Sequence, residues 1–561
     1  MQNWLILDPK DNLAVALREL PAGERIRARE TLVLSEAIPI KHKFALQYLP
    51  VGGPVYMYGV LVGKATQPIP AGGLIHTGNL EHAAAGYAAD STATDHAWNA
   101  PDVSPWLDRT FAGYHRADGR VGTANYWLVI PLVFCENRNV KMIRKTMLKG
   151  LGYEKAQAAP VDLEQLVAAY RSGKSAADIL ALTDVATETH QTTERVFPNV
   201  DGIKFLTHDG GCGGIRQDAE VLCELLAGYI AHPNVAGATV LSLGCQNAQI
   251  PLLQSSLKKY GITPLPSAEG PGERSNKPVY YLEQQAVGDE RTFIAQAVKK
   301  TFVGLMIADH CTRAPAPLSK LTLGLECGGS DGFSGISANP ILGYTSDLLV
   351  ALGGSTVLAE FPELNGVEQE LIDRCERPEL AEKFSGLMAD YSAAAEAVGS
   401  GFKNNPSPGN IRDGLITDAM KSAGAAKKGG TSPVRDVLDY AEPVTRPGLN
   451  LLCTPGNDVE STTGLAGSGC NLIVFTTGLG TPTGNPVVPV VKLASNHRLA
   501  ERMHDIIDFN GGDVITGQAT IEEKGAELLE LLITVASGKQ QTKAQLLGQD
   551  DFIPWKRGVS L

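Results

Sequence analysis

Nowhere in the 561-residue sequence does an apolar run approach the ~20 residues that a membrane-spanning helix needs. The opening MQNWLILDPKDNLAVAL lacks the basic start and unbroken apolar stretch of a secretory signal, because Asp8, Lys10 and Asp11 interrupt it. The expectation is a cytoplasmic protein without a membrane partner. Excess positive charge is missing too. The formal net charge is −12, the wrong sign for gripping a phosphate backbone, so nucleic acid is excluded as the expected partner. There is no GxxxxGK[ST] loop, and the glycine-rich Gly210–Gly214 does not fit GxGxxG, so no nucleotide site is read. Nor is there a CxxC pair of the kind that holds structural zinc or a conventional ferredoxin cluster. The nine cysteines are scattered through a long chain, unlike the disulfide framework of a small secreted domain. Each must therefore be core filler or a ligand.

What is present is an ordinary globular balance, 43% apolar and 20% charged, in a chain long enough for several domains and a sizeable core. Residues 1–90 carry short β-like runs such as Trp4–Leu7, Ala14–Leu17 and Val55–Tyr58, punctuated by Val51-Gly52-Gly53-Pro54 and Pro70-Ala71-Gly72-Gly73. This pattern predicts a small all-β module. Residues 91–109 form a linker, rich at first in Ala, Thr and Asp. From 110 to 317, apolar runs (Tyr126–Phe134, Ile203–Thr207, Ala238–Leu243) alternate with amphipathic stretches such as Gln217–Ile230. Residues 318–561 repeat the alternation, with strands expected at Leu321–Leu325, Ser355–Ala359, Leu449–Leu452, Leu472–Thr476 and Val487–Leu493. The fold class is α/β: a β module followed by two regions with mainly parallel sheets.

Three buried-type strands of the first α/β region each run toward a cysteine: Cys135, Cys212 and Cys245. A fourth strand, in the second region, leads into Glu326-Cys327-Gly328-Gly329-Ser330-Asp331. Open α/β sheets bind ligands beyond the carboxyl ends of their strands, and glycines there allow close backbone approach. A cysteine in that position is often a small buried hydrophobe, but four in similar contexts favour ligation for the set. Cys223 and Cys375 read as filler. His208 follows a strand and precedes a glycine turn, the rigid placement a general base needs. Lys492 reads as the end of an apolar strand and Ser495 or Asn496 as a helix cap. Asn339-Pro340 and Pro455-Gly456-Asn457-Asp458 are turn chemistry first and substrate contacts second.

These segments resemble the altronate/galactarate dehydratase family over nearly the whole chain. The longest carrier is GLECGGSDGFSGISANPILGYTSDLLVALGGSTVLAEFPELNGVEQ, Gly324–Gln369. NPSPGN (Asn405–Asn410), GLNLLCTPGNDVESTTGLAGSGCNLIVFTTG (Gly448–Gly478) and KRGVSL (Lys556–Leu561) look more like the altronate branch. DNLAVAL and KHKFAL (Lys41–Leu46) are similar to the family's SAF-type β-clip module. The resemblance implies loss of water from a 2,3-dihydroxy acid, giving a 2-keto-3-deoxy acid after tautomerisation. It also implies a divalent metal, Fe(II) or Mn(II). A proton beside a carboxylate is very weakly acidic, so a metal, a base and an acid each have a task. His208 is the expected base, and Asp331 or Lys492 assists the leaving group or binds the carboxylate. Asn125, Asn137, Ser330, Asn339, Asn457 and Asn496 are expected substrate contacts. The metal ligands come from His76, Cys135, Cys212, Cys245 and Cys327, with an iron–sulfur cluster on the cysteines as the alternative. A homodimer is the expected assembly. The sequence departs from the family pattern at Gly78, Ala124 and Leu479, which stand where many members have His, Arg and Arg. Losing two planar anion clamps suits a monoacid such as altronate better than a diacid such as galactarate. A non-catalytic sugar-acid-binding protein is the remaining alternative.

Overall fold

The computed structural model describes residues 3–89, 98–154, 161–182, 194–262 and 277–558. Residues 91–97 of the expected linker and the last three residues of KRGVSL lie outside these ranges. Among the described residues no helix is long and apolar enough to cross a membrane.

The N-terminal module is antiparallel throughout. Trp4–Leu5, Leu13–Ala16, Lys43–Ala45 and Leu74–Ile75 form one sheet, and Pro54–Met57, Val60–Ala65 and Leu80–Glu81 another. Its core, including Leu13, Val15, Val55, Met57 and Val62, continues directly into Phe333, Ile336, Ala419 and Met420 of the last region. The module is therefore seated on the last region by shared apolar packing. Thr417 adds a hydrogen bond from its hydroxyl to the Val62 carbonyl at 2.7 Å.

Thr110–His115 pairs antiparallel with Arg313–Pro317, some 200 residues later, and so ties together the two ends of the middle region. Between them lies a parallel sheet in the order Gly202–Phe205, Tyr126–Pro131, Val235–Ser242, Val279–Glu283. Every residue of Tyr126–Pro131 is buried, as expected of a strand covered on both faces. The strand stops at Pro131, three residues earlier than the apolar run suggests. Phe134 instead opens a single helical turn and is 43% exposed.

The last region is built on a seven-stranded parallel sheet in the order Val434–Leu438, Gly448–Leu452, Ser355–Leu358, Thr322–Cys327, Leu472–Thr477, Val490–Ala494, Phe509–Asn510. The chain winds outward from Thr322–Cys327 in one direction, then returns to lay Leu472–Thr477 on its other side. A topological switch point therefore falls between these two strands, where open α/β sheets place their ligands. The middle and last regions meet where helix Arg216–Ala231 packs against helix Asp458–Gly467. Glycine is needed at the crossing. A Cβ on Gly228 would lie 2.1 Å from the Gly467 carbonyl oxygen.

Candidate active site at the switch point of the seven-stranded sheet

Cys327 ends one central strand, Thr322–Cys327, and Glu360 and Glu363 follow its neighbour Ser355–Leu358. The chain leaves that second strand through Glu360 at φ 66°, the left-handed region that non-glycine residues enter at a cost. The Glu360 amide is held by the Thr454 hydroxyl at 2.8 Å. The helical turn Phe361–Leu364 then presents Glu363. Lys421 comes from helix Asp418–Ala426 and Lys428 from the turn Lys427–Gly429 that follows it.

These five side chains converge in the interior. Lys428 Nζ lies 2.8 Å from Cys327 Sγ and 2.6 Å from Glu360 Oε2. Cys327 Sγ lies 3.0 Å from Glu363 Oε2, and Lys421 Nζ reaches Glu363 Oε1 at 2.5 Å. All five are buried. Burial, with Glu360 and Glu363 nearby, pushes the Cys327 thiol well up. Burial alone would strip the proton from Lys428, but Cys327, Glu360 and Glu363 outweigh it and keep the ammonium charged. Glu363 stays ionised because Lys421 and Lys428 overcome its burial. Glu326, buried and facing the charge of Glu360, is held well above the carboxylate range and accepts a hydrogen bond from Ser461 at 2.7 Å.

Cys327, Glu360 and Glu363 place one ligand atom each within 4.8 Å of one another. Glu326 Oε1 and Glu360 Oε1 are buried without hydrogen-bond partners, so both keep acceptor capacity that an ion or a water would fill. A thiol with two carboxylates suits iron or another transition ion better than magnesium. Asp458 borders the cluster at the head of its helix, behind the exposed Gly456-Asn457 turn. Gly328 must be glycine there, since a Cβ would stand 2.5 Å from the Asp458 carboxylate. Burial, reinforced by Glu360 and Glu363, raises Asp458 to about 7.

A few residues on, Asp331 is a fully buried junction. Its carboxylate takes Lys41 of the β module at 2.9 Å, Ser334 and Ser495 at 2.9 Å, and Asn496 at 3.2 Å. Lys41 also pairs with Asp413 at 2.8 Å. Lys43 sits beneath, fully buried, donating to the carbonyls of Lys41 and Gly414.

Three family models tile the chain: the Altronate/galactarate dehydratase SAF domain over residues 2–83, the D-galactarate dehydratase/Altronate hydrolase second domain over 113–309, and the D-galactarate/Altronate dehydratase C-terminal domain over 318–560. The altronate dehydratase of Bacillus subtilis (strain 168) is 33% identical over 542 residues, covering 96% of either chain. The chain belongs to the altronate/galactarate dehydratase family. The altronate dehydratase of Escherichia coli (strain K12) is 33% identical, covering 94% of either chain. The galactarate dehydratase (L-threo-forming) of the same organism is 32% identical, covering 95% of this chain and 92% of its own.

Within this family member the expected metal set divides. Cys327 alone joins the buried cluster. Cys135, Cys212 and Cys245 lie exposed at the other sheet, and His76 is exposed in the β module, its Nδ1 accepting the Gly78 amide at 3.0 Å. Among the described residues, none of these four joins a set of three ligand atoms within 4.8 Å. His208 is buried, with Nδ1 accepting the Gly210 amide at 3.1 Å and Nε2 facing the Pro131 carbonyl at 2.8 Å. His232 has the same arrangement, bonded to the Asn234 amide and the Cys470 carbonyl, and burial lowers it to about 3. Both rings tie backbone segments together, and neither leaves a nitrogen free for a substrate proton. Lys492 does not end a strand. It lies inside Val490–Ala494, buried against Thr483, and burial lowers it to about 8.

The asparagines divide as well. Asn125 lies just before the amino end of its strand, donating to the carbonyls of Asn199 and Ala308, so it is turned away from the carboxyl-end crevice. Asn339 is buried between Thr476 and Gly424, and the Ser330 carbonyl accepts from Asn410 at 2.7 Å. Asn457 and Asn496 cap helices. Asn137 donates to the His208 carbonyl and lines a cavity of about 390 Å³ with His208, Cys212 and Asn247. Sequence reasoning missed Glu360, Glu363, Lys421 and Lys428, and named Asp458 only as part of a turn with a secondary role in substrate contact. The usable signal for the two glutamates is that they follow an apolar strand at its carboxyl end, as Cys327 does.

Proposed function

We propose that this chain is a sugar-acid hydro-lyase that converts D-altronate to 2-dehydro-3-deoxy-D-gluconate, with its reaction centre at the Cys327–Glu360–Glu363 cluster. The observation that carries this reading is the buried cluster at the switch point, where Cys327, Glu360 and Glu363 bring three ligand atoms within 4.8 Å of one another and Lys421 and Lys428 pair with the two glutamates. A carboxyl tuned to about 7 is suited to proton transfer at physiological pH. Asp458 takes the C2 proton. Lys421, protonated and closer to the surface than Lys428, gives a proton to the departing C3 hydroxyl. The enol formed tautomerises to the 2-keto acid, and the net change is loss of one water. Cys327, Glu360 and Glu363 would hold Fe(II) or Mn(II), which supplies charge stabilisation for the electron-rich carboxylate as the C2–H bond breaks. Lys428 keeps the anionic ligands compensated, and Asp331 is a positioning residue that fixes the Gly328–Ser330 turn. His208 and Lys492 support loops in this scheme.

Leu479 supports an aldonate over an aldarate. It packs over the Gly329 turn and reaches toward Gly409, putting an apolar branch where related sequences carry Arg. Galactarate or another hexonate is the second substrate reading, favoured only by the galactarate-dehydrating relative. The test is anaerobic turnover of a panel of aldonates and aldarates with Fe(II), Mn(II) or chelator. Asp458→Asn is expected to lower kcat by roughly 10²–10⁴-fold and to abolish the rise in rate through pH 7, with the thermal midpoint unchanged. A variant that retains both turnover and that pH limb would remove Asp458 as the base.

A further inference from the structure

Nine cysteines are free, and their exposure is not random. Cys223, Cys327, Cys375, Cys453 and Cys470 are buried and Cys311 is half-buried. The three exposed ones, Cys135, Cys212 and Cys245, all follow the carboxyl ends of three neighbouring strands of one parallel sheet. Free cysteine is among the most buried residue types, so three on one rim call for a cause.

The loops that carry them are stitched to one another. The Phe134 amide donates to the Gly210 carbonyl at 3.1 Å, and the Asn247 amide donates to the Gly211 carbonyl at 3.0 Å. Asn137 clamps the His208 carbonyl at 2.9 Å. His208 in turn fixes the Gly210 amide and the Pro131 carbonyl, so its buried ring binds the Cys135 and Cys212 loops together. Glycine makes this approach possible: at φ 96°, Gly211 sits so close that a Cβ would stand 2.0 Å from the Leu132 carbonyl oxygen. Gln285 donates to Cys245 Sγ at 3.3 Å. The buried Glu136, next to Cys135, keeps one carboxylate oxygen without a partner. Among the described residues, only the Cys327 group brings three ligand atoms within 4.8 Å. The three exposed thiols are therefore spaced too widely for a single ion, while still sharing one rim. A sulfide-bridged iron cluster takes thiolates set farther apart than one ion does.

We propose that Cys135, Cys212 and Cys245 hold an iron–sulfur cluster. Three protein thiolates leave one iron of a four-iron cluster without a cysteine. Cys212 also lines the 390 Å³ cavity, with Lys141, Asp209 and Lys556 on its walls, so a small polar ligand could reach that open position. The cluster stands apart from the reaction centre proposed above and does not depend on it.

The experiment is anaerobic reconstitution of the full chain with Fe(II) and sulfide, followed by counting of iron and acid-labile sulfide, visible absorption and electron paramagnetic resonance of the reduced sample. The wild type and Cys327→Ser are expected to take up roughly three to four irons per chain with comparable sulfide. Cys135→Ser, Cys212→Ser and Cys245→Ser are each expected to lose the chromophore. Since all three side chains are exposed, these variants should keep the wild-type thermal midpoint when measured without iron, which separates ligand loss from misfolding. Absence of acid-labile sulfide in the reconstituted wild type would overturn the proposal, as would a chromophore that survives the triple serine variant.

Discussion

Lys428→Met removes the one cation that, among the described residues, touches both Cys327 and Glu360. The two contacts are 2.8 and 2.6 Å, and neither lysine nor glutamate is open to solvent. Methionine fills a similar volume but leaves Glu360 with only the Cys327 amide and the thiol with no ammonium. Breaking a buried pair from one side costs about 3–5 kcal/mol, because the stranded charge has no water to turn to. In a region of this size a kcal/mol moves the midpoint by about 2–4 °C, so the metal-free variant should melt roughly 10 °C below the wild type. A divalent ion held by Cys327, Glu360 and Glu363 would compensate the same charges. Added Mn(II) should therefore recover most of the loss in the variant and raise the wild type by less. Glu360→Gln placed on top of Lys428→Met should also recover stability, since it removes the stranded charge. Differential scanning calorimetry with and without metal decides the matter. An equal deficit in metal-loaded and chelated samples, unrelieved by Glu360→Gln, would refute both the charge argument and the ligand assignment.

Other perturbations follow from the same geometry. Lys43 is fully buried, and burial lowers it to about 7. Its folded state binds fewer protons than its unfolded state from there up to the ordinary lysine range, so its buried charge is a burden below pH 7 that is relieved as pH rises. The stability of Lys43→Met relative to wild type should be most favourable below pH 7 and should decline toward pH 10, as read from urea midpoints. Gly228→Ala forces a methyl into the Gly467 backbone and should cost about 1–3 kcal/mol, seen as a lowered thermal midpoint. Leu479→Arg should move kcat/KM toward diacids by about ten-fold or more in competition assays of altronate against galactarate.

Much of the fold is legible in the sequence, because fully buried parallel strands announce themselves as unbroken apolar runs. Thr322–Cys327, Ser355–Leu358, Gly448–Leu452 and Leu472–Thr477 lie where such runs occur. The two edge strands escape notice: Val434–Leu438 carries Arg435 and Asp436, and Phe509–Asn510 is too short for any pattern. The antiparallel pairing of Thr110–His115 with the proline-rich Arg313–Pro317 joins segments too far apart for local rules to connect. The proposed reaction centre is harder to see. Cys327 and Asp331 stand out beside glycines, but Glu360, Glu363, Lys421 and Lys428 look like ordinary surface charges until the fold buries them. Burial is a tertiary property, and charge type alone does not reveal it. His208 shows the converse. Its setting resembles that of a base, yet backbone groups of its own loop and of the neighbouring strand end occupy both ring nitrogens.

The contact between Lys41 and Asp331 has a consequence for how the β module relates to the rest of the chain. The module delivers an ammonium group to a carboxylate wholly enclosed by another region, and the carbonyl of the same lysine fills the space that Gly332 and Gly414 leave open. The module is thus an internal ligand, and the covalent connection works as a tether that keeps its effective concentration far above any cellular protein level. For a severed chain, seating the module would become a second-order event that dilution reverses. In the intact chain the order around Asp331 is independent of how much protein the cell makes.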